Sequence, residues 1–246
     1  MRIISLVPSW TEFLFDIGAG EQVVGKTKFC IRSGEERPDL RIVGGTKQFH
    51  VEVVKSLRPD LIIASKEENG KELVEQCQAF CEVLLTDVKS LSSAWHAMGD
   101  ISDAVNHSQV GKYWIERIQS AWDRPKSNPI PVSYAIWANP FMWAGPDTFI
   151  HHVLEHWGLK NCIPKKEGER YPIMEWSHRS IRESKIILLS SEPFPFKPRH
   201  LRPFQDAGQL AQLVDGEAFS WYGSRMLHCA PYLKNLSHQL QKELTT

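Results

Sequence analysis

The sequence predicts an α/β fold of two lobes, on three observations. Short apolar runs alternate with helical patterns along the whole 246-residue chain. Two of those runs, Leu61–Ala64 and Ile186–Leu189, read as buried strands, each following a helix and a turn. The second half also repeats the grammar of the first. Pro8-Ser9, a helix and Gly18 are echoed, two residues longer, by Pro146-Asp147, a helix through Phe149, Ile150, Val153 and Leu154, and Gly158.

The elements follow in order. Ile3–Val7 reads as a strand. Ser9-Trp10-Thr11-Glu12 matches a capping box, in which a hydroxyl and a carboxylate three residues on satisfy the first free amides of a helix. Val23–Thr27 is a second strand. Val51, Val54 and Leu57 line a helical face before Arg58-Pro59-Asp60. Leu73–Phe80 is predicted helical and Val83–Leu85 strand-like. Leu91, Trp95, Met98, Ile101 and Val105 recur at three- and four-residue steps, the spacing of a covering helix. Asn106-His107-Ser108 breaks the pattern, and Ser108 starts a helix through Trp114, Ile115, Ile118 and Trp122. Arg124 to Pro129 ends it, and Val132–Trp137 opens a second strand system. The predicted division is a lobe over 1–107, a connecting helix over 108–124 and a lobe over 125–246.

Composition narrows the function. Lys+Arg and Asp+Glu are 29 each, so the chain lacks the basic excess of a nucleic-acid binder. No apolar run approaches the roughly 20 residues of a membrane span. Met1-Arg2 leads straight into Ile3–Val7 and Pro8, a first strand rather than a leader peptide. The expectation is a cytoplasmic protein, or a periplasmic or extracellular one if a leader has been removed. Five cysteines in no tight pattern leave at least one free thiol, which suits a reducing compartment. Several of the nine tryptophans sit near turn residues, where aromatic rings line ligand clefts.

The opening block IISLVPSWTEFLFDIGAGEQVVG resembles the start of helical-backbone substrate-binding proteins of bacterial importers. LRIVGGTKQFHVEVVKSLRPDLIIAS and WANPFMWAGPDTFIHHVLEHWGLKN resemble the next shared block and the start of the second lobe. The nearest resemblance is to the cobalamin-receptor branch of that superfamily, and it spans essentially the whole chain. It implies two Rossmann-like lobes joined by one backbone helix, with a corrinoid, haem or metal chelate bound in the cleft between them. It implies a monomeric receptor that meets an ABC permease, needs no resident cofactor and is not an enzyme.

The resemblance also implies a site. Its residues are Pro8, Ser9, Trp10, Phe29, Cys30, Lys47, Lys66 and Glu67 from the first lobe. From the second lobe come Trp137, Trp143, Glu217, Trp221, Tyr222 and Arg225. Pro8 matches a proline that touches the corrin, and Phe29 or Cys30 falls where the receptor has an aromatic ring. Lys47 and Lys66 stand where it has tryptophans. That departure, with Glu67 and Glu68 alongside, suits carboxylates, phosphates or a polar chelate better than a flat apolar face. Glu52 matches one permease-docking glutamate. The second falls at about Arg179, which would repel the permease's arginines unless Glu175 or Glu183 stands in.

Three alternatives stand beside this. A cytosolic carrier or sensor of a polar or anionic small molecule would use the same lysines. An enzyme would use Cys30, activated by Lys28 and Lys47 with His50 as partner. Direct metal binding would use His152 and His156, four apart on a helix, or Cys30 with Glu67 or Glu68.

Overall fold

The computed structural model describes residues 1–33, 37, 39–123 and 128–244, so the predicted helix end at Arg124–Ser127 lies outside the described residues. The chain separates into two compact units. The first holds Met1–Val88, Ser92–Trp122 and Tyr222–His228, and the second Lys89–Leu91, Asp123–Trp221 and Cys229–Thr246.

The first unit is built on strands β1 (Ile3–Ser5), β2 (Val23–Lys26), β3 (Arg41–Ile42), β4 (Leu61–Ser65) and β5 (Glu82–Thr86). They form one parallel sheet in the order β3-β2-β1-β4-β5. The intervening helices are α1 (Pro8–Asp16), α2 (Val51–Ser56) and α3 (Lys71–Gln78), followed by α4 (Leu91–Ala104) and α5 (Ser108–Trp122). Ile4, Ile62 and Ala64 of the sheet, with Leu6 just past β1, pack with Val54, Val74 and Cys77 of the helices. Burial pushes the Cys77 thiol up to about 11, as expected of a packing residue.

The capping box at α1 is a correction. The N-cap is Val7, which has no side-chain cap, and Pro8 occupies the first turn. A proline there costs nothing, because its missing N–H would be unsatisfied in any case. Glu12 is therefore free for another role, an ion pair with Arg225.

The second unit has strands β6 (Ile130–Trp137), β7 (Met142–Trp143), β8 (Leu159–Asn161), β9 (Ile186–Ser190) and β10 (Ala211–Val214). The sheet runs β10-β9-β6-β7, with β8 also pairing β6. All pairs are parallel except β6 with β7. Its helices are α6 (Phe149–His156), α7 (Arg179–Arg182), α8 (Arg202–Asp206), α9 (Gly216–Ser220) and α10 (Arg225–Leu244). The first residues of α10 count with the first unit and the rest with the second. The echo between the halves is real at the helix stops: Gly18 and Gly158 both have positive φ, 85° and 74°. Among the described residues no helix is long and apolar enough to cross a membrane.

Candidate functional site

Open parallel sheets place ligands at the carboxyl ends of their strands. In the first unit those ends carry the loops after β1, β2, β3, β4 and β5. Asn69, a buried residue of the loop after β4, pins three of the segments there. Its side-chain amide donates to the carbonyls of Leu6, at 3.1 Å, and Thr46, at 2.9 Å, and its oxygen accepts from the Ser65 amide at 2.8 Å. Its place after a run of charged loop residues is a signal for a loop latch, since Asn side chains bond readily to backbone.

Of the predicted residues in this unit, Phe29 (50% exposed), Lys47 and Lys66 are on the surface. Lys28 Nζ lies 5.1 Å from the centre of the Phe29 ring. Lys47 Nζ donates to the Glu67 carbonyl, and Lys66 Nζ pairs with Asp87 at 3.4 Å. A cavity of about 270 Å³ lies beside the loop, lined by Ser65, Lys66, Asn69, Val74 and Leu85 among others.

Glu67 is half-buried, and the other predicted residues of the unit turn inward, among them Tyr222 and Arg225, which were expected on the second lobe but belong to the first unit. Trp10 has no exposed surface; its Nε1 donates to Thr86 Oγ1 at 3.0 Å, and its ring centre lies 4.4 Å from that of Tyr222. Tyr222 donates to Glu68 Oε1 at 3.1 Å, and burial raises its phenol well above the usual range. Pro8 and Ser9 are buried in the first turn of α1. Arg225 holds both carboxylate oxygens of Glu12. Burial still raises the Glu12 carboxyl, against the pull of Arg225. Cys30 is buried between Thr11, at 3.1 Å, and Thr27, at 3.2 Å. Burial raises its thiol, the opposite of what a nucleophilic cysteine requires.

In the second unit the carboxyl ends of β6, β9 and β10 carry Trp137, the segment after Ser190, and α9. Trp137 is 40% exposed and stands edge-on to Phe194, ring centres 5.4 Å apart. Trp143 is fully buried, its Nε1 bonded to the Met174 carbonyl at 2.9 Å. Trp221 is partly exposed and donates to Glu192 Oε1 at 2.9 Å, and Ser220 donates to the same oxygen at 2.6 Å. Glu217 lies in the first turn of α9, where the Asp215 side chain accepts from its amide at 3.1 Å. Burial raises the Glu192 carboxyl, and Glu217 and Asp215 add to the shift.

Glu52 is exposed in the first turn of α2. Arg179 is exposed at the start of α7 and bonded to Glu183 Oε1 at 2.6 Å. His152 is exposed on α6, and the His156 ring stands edge-on to Trp157, 5.5 Å between centres. Among the described residues no group of three or more His, Cys, Asp or Glu side chains could hold a metal ion.

The structural likeness covers nearly the whole chain. The periplasmic vitamin B12-binding protein BtuF of Vibrio cholerae superposes with a TM-score of 0.78 at 19% identity, over 98% of each chain. The periplasmic heme-binding protein RhuT of Roseiflexus sp. RS-1 gives 0.79 at 19% identity, again over 98% of each chain. Its fold is that of these periplasmic binding proteins. The two-lobed α/β class predicted from sequence is the class observed.

Sequence relatives agree. An uncharacterized ABC transporter substrate-binding lipoprotein, YvrC of Bacillus subtilis, is 27% identical over 184 residues, 68% of this chain. A vitamin B12-binding protein of Pectobacterium atrosepticum is 28% identical over 173 residues, 66% of the chain. The matched segments span 57% and 62% of these relatives' own length. No family model matches the chain. The relatives and structural neighbours are thus substrate-binding proteins of the cobalamin- and haem-receptor branch, as the sequence blocks implied. They are binding proteins of transporters rather than enzymes, and the Cys30-enzyme and cytosolic-carrier alternatives are not favoured. The cytoplasmic placement is corrected: the relatives and neighbours are a lipoprotein and periplasmic proteins, which points to a compartment outside the cytoplasmic membrane.

Proposed function

We propose that this chain is the ligand receptor of an ABC importer and binds a corrinoid, a tetrapyrrole or a metal chelate without transforming it. The observation that carries the proposal is the likeness of fold over 98% of the chain to a vitamin B12-binding and a heme-binding protein. In this reading residues 1–107 and 125–246 are the two lobes and 108–124 the connecting helix. Phe29, Lys47, Lys66, Glu67, Trp137, Glu217 and Trp221 touch the ligand. Pro8, Ser9, Trp10, Cys30, Trp143, Tyr222 and Arg225 form the support behind them. Glu52 meets the permease, and Glu183 offsets the charge of Arg179. The receptor acts as a monomer.

Titration by tryptophan fluorescence tests this. Cobinamide, hemin and a ferric hydroxamate chelate are each added to purified protein. Saturable one-to-one quenching by at least one is expected. No saturable response to any of the three overturns the proposal.

A further inference from the structure

Resting on that reading, we propose that Glu192 sets ligand selectivity in the second unit: its carboxylate accepts a hydrogen bond from an N–H group on the ligand's edge, beside Trp137 and Trp221. Glu192 Oε1 is already occupied by Ser220 and Trp221. Oε2 takes no hydrogen bond among the described residues, yet it is not one of the fully buried unpaired atoms, so solvent or a ligand reaches it. Glu192 has no ion pair among the described residues. The charges that face it are those of Glu217 and Asp215, both negative.

The surroundings are built around this carboxylate. A Cβ on Gly216 would lie 2.5 Å from Glu192 Cγ, 2.5 Å from Ser190 Oγ and 2.8 Å from the Glu192 amide. Only glycine lets α9 approach so closely. Tyr134 donates to Ser190 Oγ at 3.0 Å, and Ser190 in turn donates to the Glu192 carbonyl at 2.5 Å. The backbone that carries the acid is thereby anchored to β6 and β9. Two residues on, Phe194 donates its amide to the Ile136 carbonyl at 3.3 Å and meets the Trp137 ring. Apolar ring faces and a held acceptor therefore sit on adjoining segments.

A staple for α9 would not need a charge. A glutamine carbonyl could accept from both Ser220 and Trp221 without the cost of withdrawing a carboxylate from water. The charge is explained by a partner that arrives at Oε2. That partner must be a donor, because a ligand carboxylate would meet the carboxylate of Glu192 itself. An exposed charge acts in water, where a unit charge at 4 Å contributes about 1 kcal/mol. A partly desolvated acceptor discriminates more strongly. The ligand class favoured is a ring edged with amides, as corrinoids are, over one edged with propionates.

Paired probes test this. Cobinamide and cobyrinic acid share one corrin ring, the first with peripheral amides and the second with carboxylates. Wild-type protein is expected to prefer cobinamide by about tenfold or more, the scale of one charge-assisted hydrogen bond. Glu192→Gln should shrink that ratio to within about threefold while the protein melts cooperatively. If that variant fails to fold, Glu192→Asp, which retracts the carboxylate, should narrow the ratio likewise. Wild-type protein that binds hemin better than cobinamide, or that binds both corrinoids equally, overturns the inference and leaves the receptor function standing. So does an unchanged ratio in the variant. Failure of wild-type protein to bind any probe overturns both.

Discussion

The two sheets end differently. At the carboxyl end of the first, the exposed side chains are the aromatic Phe29 and the cations Lys47 and Lys66, while the buried charges Glu12 and Arg225 cancel each other. At the carboxyl end of the second, an exposed Trp137 meets Phe194, two residues beyond a partly buried Glu192 that lacks an ion pair among the described residues. Exposed cations attract anions weakly and over a distance set by salt. A withdrawn carboxylate is weak at long range and discriminating at contact. The end of the first sheet is thus suited to attraction, and the end of the second to discrimination.

The largest expected effect separates support from surface among the aromatic residues. Trp10→Ala removes a fully buried ring and its hydrogen bond to Thr86, and should cost about 3–5 kcal/mol of stability. Trp137→Ala removes a ring that is 40% exposed and should cost less than about 1 kcal/mol, but weaken corrinoid binding about tenfold. Urea denaturation and fluorescence titration read the two quantities. Equal stability losses would erase the distinction between the rings.

Arg225→Ala tests whether the charges of the first unit are structural. It strands Glu12, and breaking such a pair should cost about 3 kcal/mol. Burial already raises the Glu12 carboxyl, and loss of Arg225 raises it further. A raised acid penalises the fold only where it would be ionised in the unfolded chain. The deficit should therefore be small below pH 4.5, the ordinary glutamate value, and grow as pH rises above it. Replacing both partners by apolar residues, Glu12→Leu with Arg225→Met, should recover most of the loss. A deficit independent of pH, measured by denaturation from pH 4 to 8, would show that Glu12 carries no such burden.

Much of this arrangement was legible in the sequence. Strands covered on both faces read as unbroken apolar runs, so β4 and β9 were plain at Leu61–Ala64 and Ile186–Leu189. The short or polar strands β3, β7, β8 and β10 were not, because two to four residues such as Ala211–Val214 carry too little pattern. Loops after strands marked where candidate residues would lie. Their direction was hidden, since burial depends on distant partners: Glu12 with Arg225 and Glu68 with Tyr222 are 213 and 154 residues apart. Glu192 lies on such a loop, and its particular role was hidden for the same reason. Nothing local distinguishes a carboxylate held by Ser220 and Trp221 from a solvated one.

The smallest effect bears most directly on the second unit. Burial, Glu217 and Asp215 raise the Glu192 carboxyl in the folded protein. In the unfolded chain it titrates near the ordinary value of 4.5. The folded state therefore binds this proton more tightly, and stability is lost as pH rises from 4.5 through the folded value. Glu192→Gln is neutral at every pH and keeps an oxygen to accept from Ser220 and Trp221. The variant should match wild type near pH 4 and gain on it as pH rises toward 7. Thermal melts across that range read the difference without any ligand. A variant less stable than wild type by the same amount at every pH would mean that the carboxylate is tolerated at no cost. The physical reason for seeking a ligand donor at Oε2 would then be gone.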